Sequence, residues 1–384
     1  MSATIRKTAL HERHRQLGAK MTDFHGWDMP LYYTSILEEH KAVRQALGVF
    51  DISHMGQVIV SGPGALATLN GLMVSDLSQV AKGRACYTLM LNEQGGILDD
   101  VIIYALGDED YLVIVNCGNR ASDVEWMQAH RKGETAITDV SDGRSILAVQ
   151  GPLACRVLEQ ILDARVTTLG RFGIAPIRTM GPDACIARTG YTGSDGFELF
   201  LPDRHAQRLW DLVLTQAKHL GALPVGLGAR DTLRVEAGLR LYGTDMDAAT
   251  TPVEAGLMWT VAMSKTSEFI GKGALAAQKQ AGAARRFVGF ELGQGPVPRT
   301  GMELSAEDGQ RVGTVTSGTF SPMLNRPLGM GYVEPASAKA GSTLSLTVRS
   351  QRYAATVVKL PFWKEETRQS ALSVSRPATL EKLP

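Results

Sequence analysis

Asp99 and Asp100 stand together after the loop Asn92-Glu93-Gln94-Gly95-Gly96 and before the apolar run Val101-Ile102-Ile103-Tyr104. Carboxylates at a strand entrance can hold a proton or favour a cationic intermediate. Alternation along a strand sends neighbours to opposite faces, so the two cannot act as one dyad. One is expected to face the interior, the other solvent or the turn. A second candidate is residues 189–198, Thr-Gly-Tyr-Thr-Gly-Ser-Asp-Gly-Phe-Glu, with three glycines and two aromatics ahead of Glu198. Such a loop lets backbone approach a flat ligand while a ring and a carboxylate remain for stacking and hydrogen bonding. A plain hairpin would use the glycines equally well. A third is Gly226-Leu227-Gly228-Ala229-Arg230-Asp231, glycines before an apparent helix start and then Arg230, which a carboxylate such as Glu198 can pair.

Other chemistries find little support. There is no G-x-x-x-x-G-K-[ST] loop, no strand-linked G-x-G-x-x-G and no G-x-S-x-G elbow, so no nucleotide cofactor is expected. Five of the eight histidines, His11, His14, His25, His40 and His54, fall in the first 54 residues. No acidic or cysteine ligand stands at matching spacing, so no metal is expected, and solvated or locally hydrogen-bonded histidines are. Cys86, Cys117, Cys155 and Cys185 are dispersed and read as reduced thiols, mostly buried. Lys+Arg is 40 against Asp+Glu 39, which gives bulk charge no argument for a nucleic-acid or membrane partner. The start MSATIRKTALHERHRQLG is polar and the apolar runs are short, so a cytoplasmic, soluble protein is expected.

These candidates need elements to hold them. Val58-Ile59-Val60 leads through Ser61-Gly62-Pro63 into a helical pattern at Leu66 and Leu69; Leu147-Ala148-Val149 leads through Gln150-Gly151-Pro152 into one at Val157, Leu158 and Ile161. A common strand–turn–helix unit met twice and a duplicated α+β module both remain open. Residues 86–91, 97–104 and 111–116 read as three strands with tight turns, an antiparallel meander. Residues 206–220 and 230–238 read as helices, and 265–286 as a helical linker. Beyond it, residues 287–292, 311–316, 328–333, 344–348 and 354–360 are short strand candidates, as in a small β-barrel or sandwich.

Seven strings in order carry a resemblance: residues 24–33 (FHGWDMPLYY), 50–56 (FDISHMG), 95–100 (GGILDD), 189–198, 226–231, 241–247 (LYGTDMD) and 316–322 (TSGTFSP). Together, from about residue 10 to 362, the chain resembles the glycine cleavage system T-protein family of tetrahydrofolate-dependent aminomethyltransferases. The resemblance implies an α+β fold, a three-domain cloverleaf-like arrangement around a central folate channel. It divides the chain into residues 1–55 with 141–265, a ferredoxin-like α/β domain at 56–140, and a linker helix with a C-terminal jelly-roll-like β-barrel at 266–384. It implies transfer of the methylene carbon of the aminomethyl group on lipoyl H-protein to tetrahydrofolate, giving 5,10-methylenetetrahydrofolate and ammonia.

The implied co-substrate is tetrahydrofolate, with no metal and no nucleotide, and the implied partner is the lipoylated H-protein, held transiently. The carbon is already at the formaldehyde oxidation level, so the chemistry asks for a water-poor channel and a carboxylate. The family's catalytic aspartate falls on Asp100. Its folate contacts fall on Tyr87, Tyr104, Asn116, Tyr191, Glu198 and Arg230, with Glu198 at the pterin's amino edge. Leu239 stands where some relatives carry an aromatic, and Arg368 is a candidate for a C-terminal basic residue. A folate-dependent demethylase of a small methylated donor, or a non-catalytic folate-binding module, shares parts of the pattern. The full set of strings, with Asp100, Glu198 and Arg230 all present, favours the transferase.

Overall fold

The computed structural model describes residues 5–162, 166–349 and 351–365. The chain opens with α1 (His11–Gln16), the hairpin β1 (Lys20–Phe24) and β2 (Trp27–Tyr32), α2 (Ile36–Gln45) and β3 (Gly48–Asp51). Next come β4 (Gly56–Ser61), α3 (Ala65–Leu72), β5 (Ala85–Leu91), β6 (Ile97–Ala105), β7 (Asp110–Val115), α4 (Arg120–Ala129) and β8 (Ala136–Asp139). The same succession returns as β9 (Arg144–Gln150), α5 (Ala154–Ile161), β10 (Ile174–Pro176), β11 (Cys185–Ala187), β12 (Gly196–Pro202), α6 (Asp203–Ala217) and β13 (Leu223–Pro224). Then follow α7 (Leu227–Glu236), α8 (Lys272–Ala281) and β14 (Arg286–Leu292), β15 (Glu303–Ser305), β16 (Arg311–Ser321), β17 (Arg326–Val333), β18 (Thr343–Val348) and β19 (Gln351–Val358).

The strand orders make the repetition explicit. One sheet runs β5-β6-β7-β4-β8, the other β10-β11-β12-β9-β3-β13. The second is the first with β3 inserted before its last strand. Each unit begins with a strand and a Gly-Pro turn, and Gly62 and Gly151 take φ of 101° and 131° there, a region open to glycine and closed to most side chains. The duplicated-module reading therefore matches the element order.

The two sheets face each other. Tyr104, Leu112 and Ile114 from the first pack against Phe50, Ile146, Ala148 and Phe200 from the second, and α7 closes this layer through Ala229 and Leu233. Edge strands β5 and β10 are tied by an isolated bridge, Arg84 to Gly173. Helices cover the outer faces. Leu69, Leu72 and Met127 lie on Val101, Ile103 and Val113, while Leu158, Leu209, Trp210 and Val213 lie on Val149, Phe197 and Leu199. The C-terminal strands close into a barrel, β14-β17-β16-β15-β18-β19, around Phe290, Leu304, Leu344 and Val357. Closure removes the free edges that would otherwise invite pairing with another chain.

Three expectations change. The linker helix is shorter than residues 265–286, because Gly271, at φ 86°, starts it and Gly282, at φ 85°, ends it. His11 and His14 are not solvated: both are buried, His11 Nε2 lying 2.8 Å from Asp28 and His14 Nε2 2.9 Å from Asp51. The four cysteines, expected mostly buried, are only half-buried.

Candidate active site

The long hairpin of β5 and β6 brings the two aspartates to the site. Asn92 Oδ1 accepts from Gly96 N at 2.8 Å and Gln94 N at 3.1 Å, which folds the loop. Gly96 is pressed against Ala248, whose carbonyl oxygen would stand 1.8 Å from an added Cβ. On β6, Asp99, Val101 and Ile103 turn to one side, while Asp100, Ile102 and Tyr104 turn to the other, toward the second sheet.

Alternation thus separates the pair as expected, but Asp99 is not at solvent or in a turn. It is fully buried, because α3 and α4 cover its face of the sheet. Its carboxylate accepts from Asn116 N (2.9 Å), Asn116 Nδ2 (2.8 Å) and Asn119 Nδ2 (2.9 Å). Asn119 is the N-cap residue of α4, yet it spends its side chain on Asp99 and Leu98 and gives none to the helix.

Asp100 faces the space between the units. Its Oδ2 accepts from the Tyr87 hydroxyl at 3.0 Å and its Oδ1 from Asn116 Nδ2 at 3.0 Å. Asn116 therefore bridges the two aspartates. Burial, and then the charge of Asp99, push the Asp100 carboxyl up to about 7, into the range where it can exchange a proton at neutral pH. Burial and the same Asp100 hold the Tyr87 phenol well above its ordinary value, so it stays a donor. Trp259, 71% exposed, stacks on Tyr87 with ring centroids 5.8 Å apart. Sequence reasoning missed Trp259, since a tryptophan within Leu257-Met258-Trp259 reads as core.

The second unit supplies the other half. Glu198 on β12 is buried; its Oε2 accepts from Thr189 Oγ1 at 2.6 Å and from the Tyr104 hydroxyl at 3.2 Å. Tyr104, Glu198 and Thr189 thereby span the two sheets. Arg230 does not pair with Glu198. It projects from the first turn of α7 and lies over the Tyr191 ring, Cζ 4.8 Å from the centroid. Its guanidinium makes no hydrogen bond to any described residue, while Glu198 Oε2 accepts from Thr189 and Tyr104. The Tyr191 hydroxyl donates to the Arg240 carbonyl, which holds that ring in place.

Tyr191 and Arg230 also line a cavity of about 680 Å³ opening between the first hairpin, α2, α7 and the barrel, with Phe24, Leu37 and Phe320 among its walls. Asp100, Tyr87, Tyr104, Asn116 and Glu198 do not line it, so the Tyr191–Arg230 pair is what cavity and polar centre share. Leu239 is half-buried, and its carbonyl accepts from Arg234 Nη1 at 3.2 Å. Arg368 lies outside the described residues. The chain nevertheless returns across the site before that point. Trp363 stacks on Arg44, 3.9 Å from Cζ to ring centroid, and Glu365 accepts from Asp195 N at 2.8 Å.

Two of the quoted strings fasten parts together. Asp245 receives Arg234, Thr316 Oγ1 (2.5 Å) and Ser317 Oγ (2.7 Å), and Ser321 donates to Glu236, so residues 241–247 and 316–322 clasp the barrel to α7. In the string 50–56, Asp51 serves His14 and Ser53, while His54 is buried neutral beside Phe24, burial lowering its imidazole to about 3. Among the described residues no group of three or more His, Cys, Asp or Glu could hold a metal ion. Among them, too, no helix is long and apolar enough to cross a membrane.

Comparison with known proteins agrees with this architecture. Residues 10–265 match the GCVT N-terminal domain and residues 285–364 the glycine cleavage T-protein C-terminal barrel domain. The chain is 43% identical to an aminomethyltransferase of Halothermothrix orenii, over 93% of this chain and all of that one. It is 41% identical to one of Bacillus subtilis, over 94% of this chain and 99% of that one. The crystal structure of glycine cleavage system aminomethyltransferase T from Bartonella henselae superposes with a TM-score of 0.88 at 36% identity, covering 94% of this chain and 98% of that one. Matching domain families in this order, over nearly the whole length, mean that the chain belongs to the glycine cleavage T-protein family.

Proposed function

We propose that the chain is the aminomethyltransferase of a glycine cleavage system. It takes the methylene carbon from the aminomethyl group on the lipoyl arm of H-protein, transfers it to tetrahydrofolate, and releases ammonia and dihydrolipoyl H-protein. The observation that carries the reading is Asp100, a carboxylate poised near neutrality and held from both sides by Tyr87 and Asn116. In this reading Asp100 hydrogen-bonds the folate near N10, orients the attacking nitrogen and favours the iminium-like carbon as ammonia departs. Glu198, fixed by Thr189 and Tyr104, takes the amino edge of the pterin, and Tyr191 and Tyr87 supply ring faces. Arg230, held over Tyr191 with its donors free, meets the folate itself. The channel belongs to residues 1–55 with 141–265 and to residues 56–140, the barrel of 266–384 closing it, and the enzyme works in the cytoplasm.

The test is direct. Purified protein is mixed with tetrahydrofolate and aminomethyl-loaded H-protein, and methylenetetrahydrofolate and ammonia are measured. Stoichiometric formation of both is expected. Turnover of sarcosine or a sulfonium donor, with none of loaded H-protein, would replace this reading with a demethylase.

A further inference from the structure

One buried acid beside the site has no task in the chemistry above. Asp123 lies in the first turn of α4, where its N–H donates to the Asn119 carbonyl at 2.8 Å. It is 2% exposed, and its Oδ2 has no hydrogen-bond partner among the described donors. Its side chain is in hydrogen-bond contact with Asp99. Two carboxylates can share such a bond only if one carries the proton. Asp99 already accepts three amide donors, the environment of an anion. Among the described residues no donor reaches Asp123 Oδ2 and no cation acts on the carboxyl, so an ionised Asp123 would be a buried charge without compensation.

We propose that Asp123 is a positioning residue: a protonated acid that donates to Asp99, keeping Asp99 the anion that fixes the Asn116 amide against Asp100. The chain of contacts is Asp123 to Asp99, Asp99 to Asn116 Nδ2 at 2.8 Å, and Asn116 Nδ2 to Asp100 Oδ1 at 3.0 Å. Burial, then the charge and hydrogen bond of Asp99, push Asp123 up to about 10, in keeping with the proton placed there. The proposal rests on the reading of Asp100 as the catalytic carboxylate. It adds that a negative charge held on Asp99 raises Asp100 beyond what burial alone does.

The titratable groups around the pair are few. Asp100 follows on the same strand, with Tyr87 beyond it on β5. After α7 comes Tyr242, whose phenol burial and then Asp99, Asp123, Asp247 and Asp100 push up to about 12. At the connection from β7 to α4 lies Cys117, pushed up to about 11 by burial first and by Asp99 against the opposing Arg230. None of these changes charge between pH 5 and 8 except Asp100, so an acid limb in that window reports Asp100 under the field of Asp99.

The experiment uses the full chain, with two readouts. Infrared difference spectra at pH 7 should show a protonated-carboxyl stretch that Asp123→Asn removes and Asp100→Asn retains. In pH profiles of kcat/KM for loaded H-protein, Asp123→Ala deprives Asp99 of its donor and lets it take up a proton. Asp100 then feels less negative charge, and the acid limb moves down by about half a pH unit or more. Asp123→Asn keeps a neutral donor and restores the original limb, with rates within about twofold. A carboxyl stretch untouched by Asp123→Asn, or a limb moved equally by Asn and Ala, overturns the proposal. If Asp123→Ala does not fold, the infrared result on Asp123→Asn decides alone. Should Asp100→Asn keep full turnover, the Asp100 reading fails, and the infrared band still reports whether Asp123 holds its proton.

Discussion

The two α/β units share element order and strand order, yet they treat the space between sheet and helices in opposite ways. In the second unit the layer directly behind Glu198 is apolar: Leu199, next to it on β12, packs with Phe197, Leu201, Leu209 and Trp210, and the buried His14–Asp51 pair lies at β3, two strands away. In the first, the residue next to Asp100 on β6 is Asp99, and behind it stand Asn116, Asn119 and Asp123. Each unit offers one acid to the shared interior. One acid rests on a hydrophobic layer, the other on a charged network. A carboxyl backed by hydrocarbon is held in place and no more, whereas one backed by a second carboxyl also has its proton affinity shifted by it. In the proposed reading, the first unit would manage the proton and the second would bind.

The largest effect should fall on Asp100. Asp100→Asn is expected to lower kcat by about 10²–10⁴ while leaving tetrahydrofolate binding largely intact. The same substitution should stabilise the protein. A carboxyl raised from its ordinary 3.8 to about 7 favours the folded state when protonated, and that contribution is lost as pH rises through about 7. Melting curves should therefore place Asp100→Asn above the parent at pH 8 and level with it near pH 4. Equal Tm values at both would deny the strained carboxyl.

Next comes the apolar counterpart. Leu199→Ala should cost about 2–5 kcal/mol of stability, the range for emptying a core leucine site, with kcat of the folded enzyme unchanged. Denaturant titration beside kinetics checks this. A selective loss of kcat would mean the second unit also shapes the chemistry. A smaller effect is expected at Glu198, where alanine should weaken tetrahydrofolate by about 1–3 kcal/mol. Because Arg230 stacks on Tyr191 and leaves Glu198 to Thr189 and Tyr104, Arg230→Ala should add to it almost independently. Calorimetry on the single and double variants would expose any coupling. The smallest effect lies outside both units, where charged Asp231 and Arg299 join half-exposed Leu37 and Phe320 around the cavity. A carrier that must leave each cycle calls for a small, polar contact, so raising salt should increase the KM for loaded H-protein about two- to fivefold and leave folate affinity unchanged. A flat KM would assign docking to the apolar side chains.

Local signals in the sequence carried most of the framework. The Gly-Pro turns, the meander and the late strands all have short-range causes, and the structure puts them where periodicity and turn chemistry do. The candidate site was legible in its members and less so in its wiring. Alternation separated Asp99 from Asp100 correctly, but which face of β6 is wet depends on a second sheet and on α3 and α4, and so Asp99 was misplaced. Likewise Arg230 and Glu198 are charge partners by type, and only tertiary geometry reveals that Arg230 lies over Tyr191 while Glu198 Oε2 takes Tyr104 and Thr189. Asp123 had no signature at all, since an aspartate in a helix's first turn reads as a response to the helix dipole.

The inserted strand β3 has a consequence for how the chain comes to be folded. It pairs with β9, about a hundred residues later in the sequence, and with β13, later still. A ribosome-bound chain therefore holds β3 ready, with Val49 and Phe50 lacking their neighbours, through synthesis of the whole first unit, and can seat it only once β9 has emerged. The first sheet needs nothing from outside residues 56–139 for its own pairing. Assembly should accordingly be sequential, a quick local unit followed by a slow one limited by a long loop closure. The interval between them is when the chain is most in need of a chaperone.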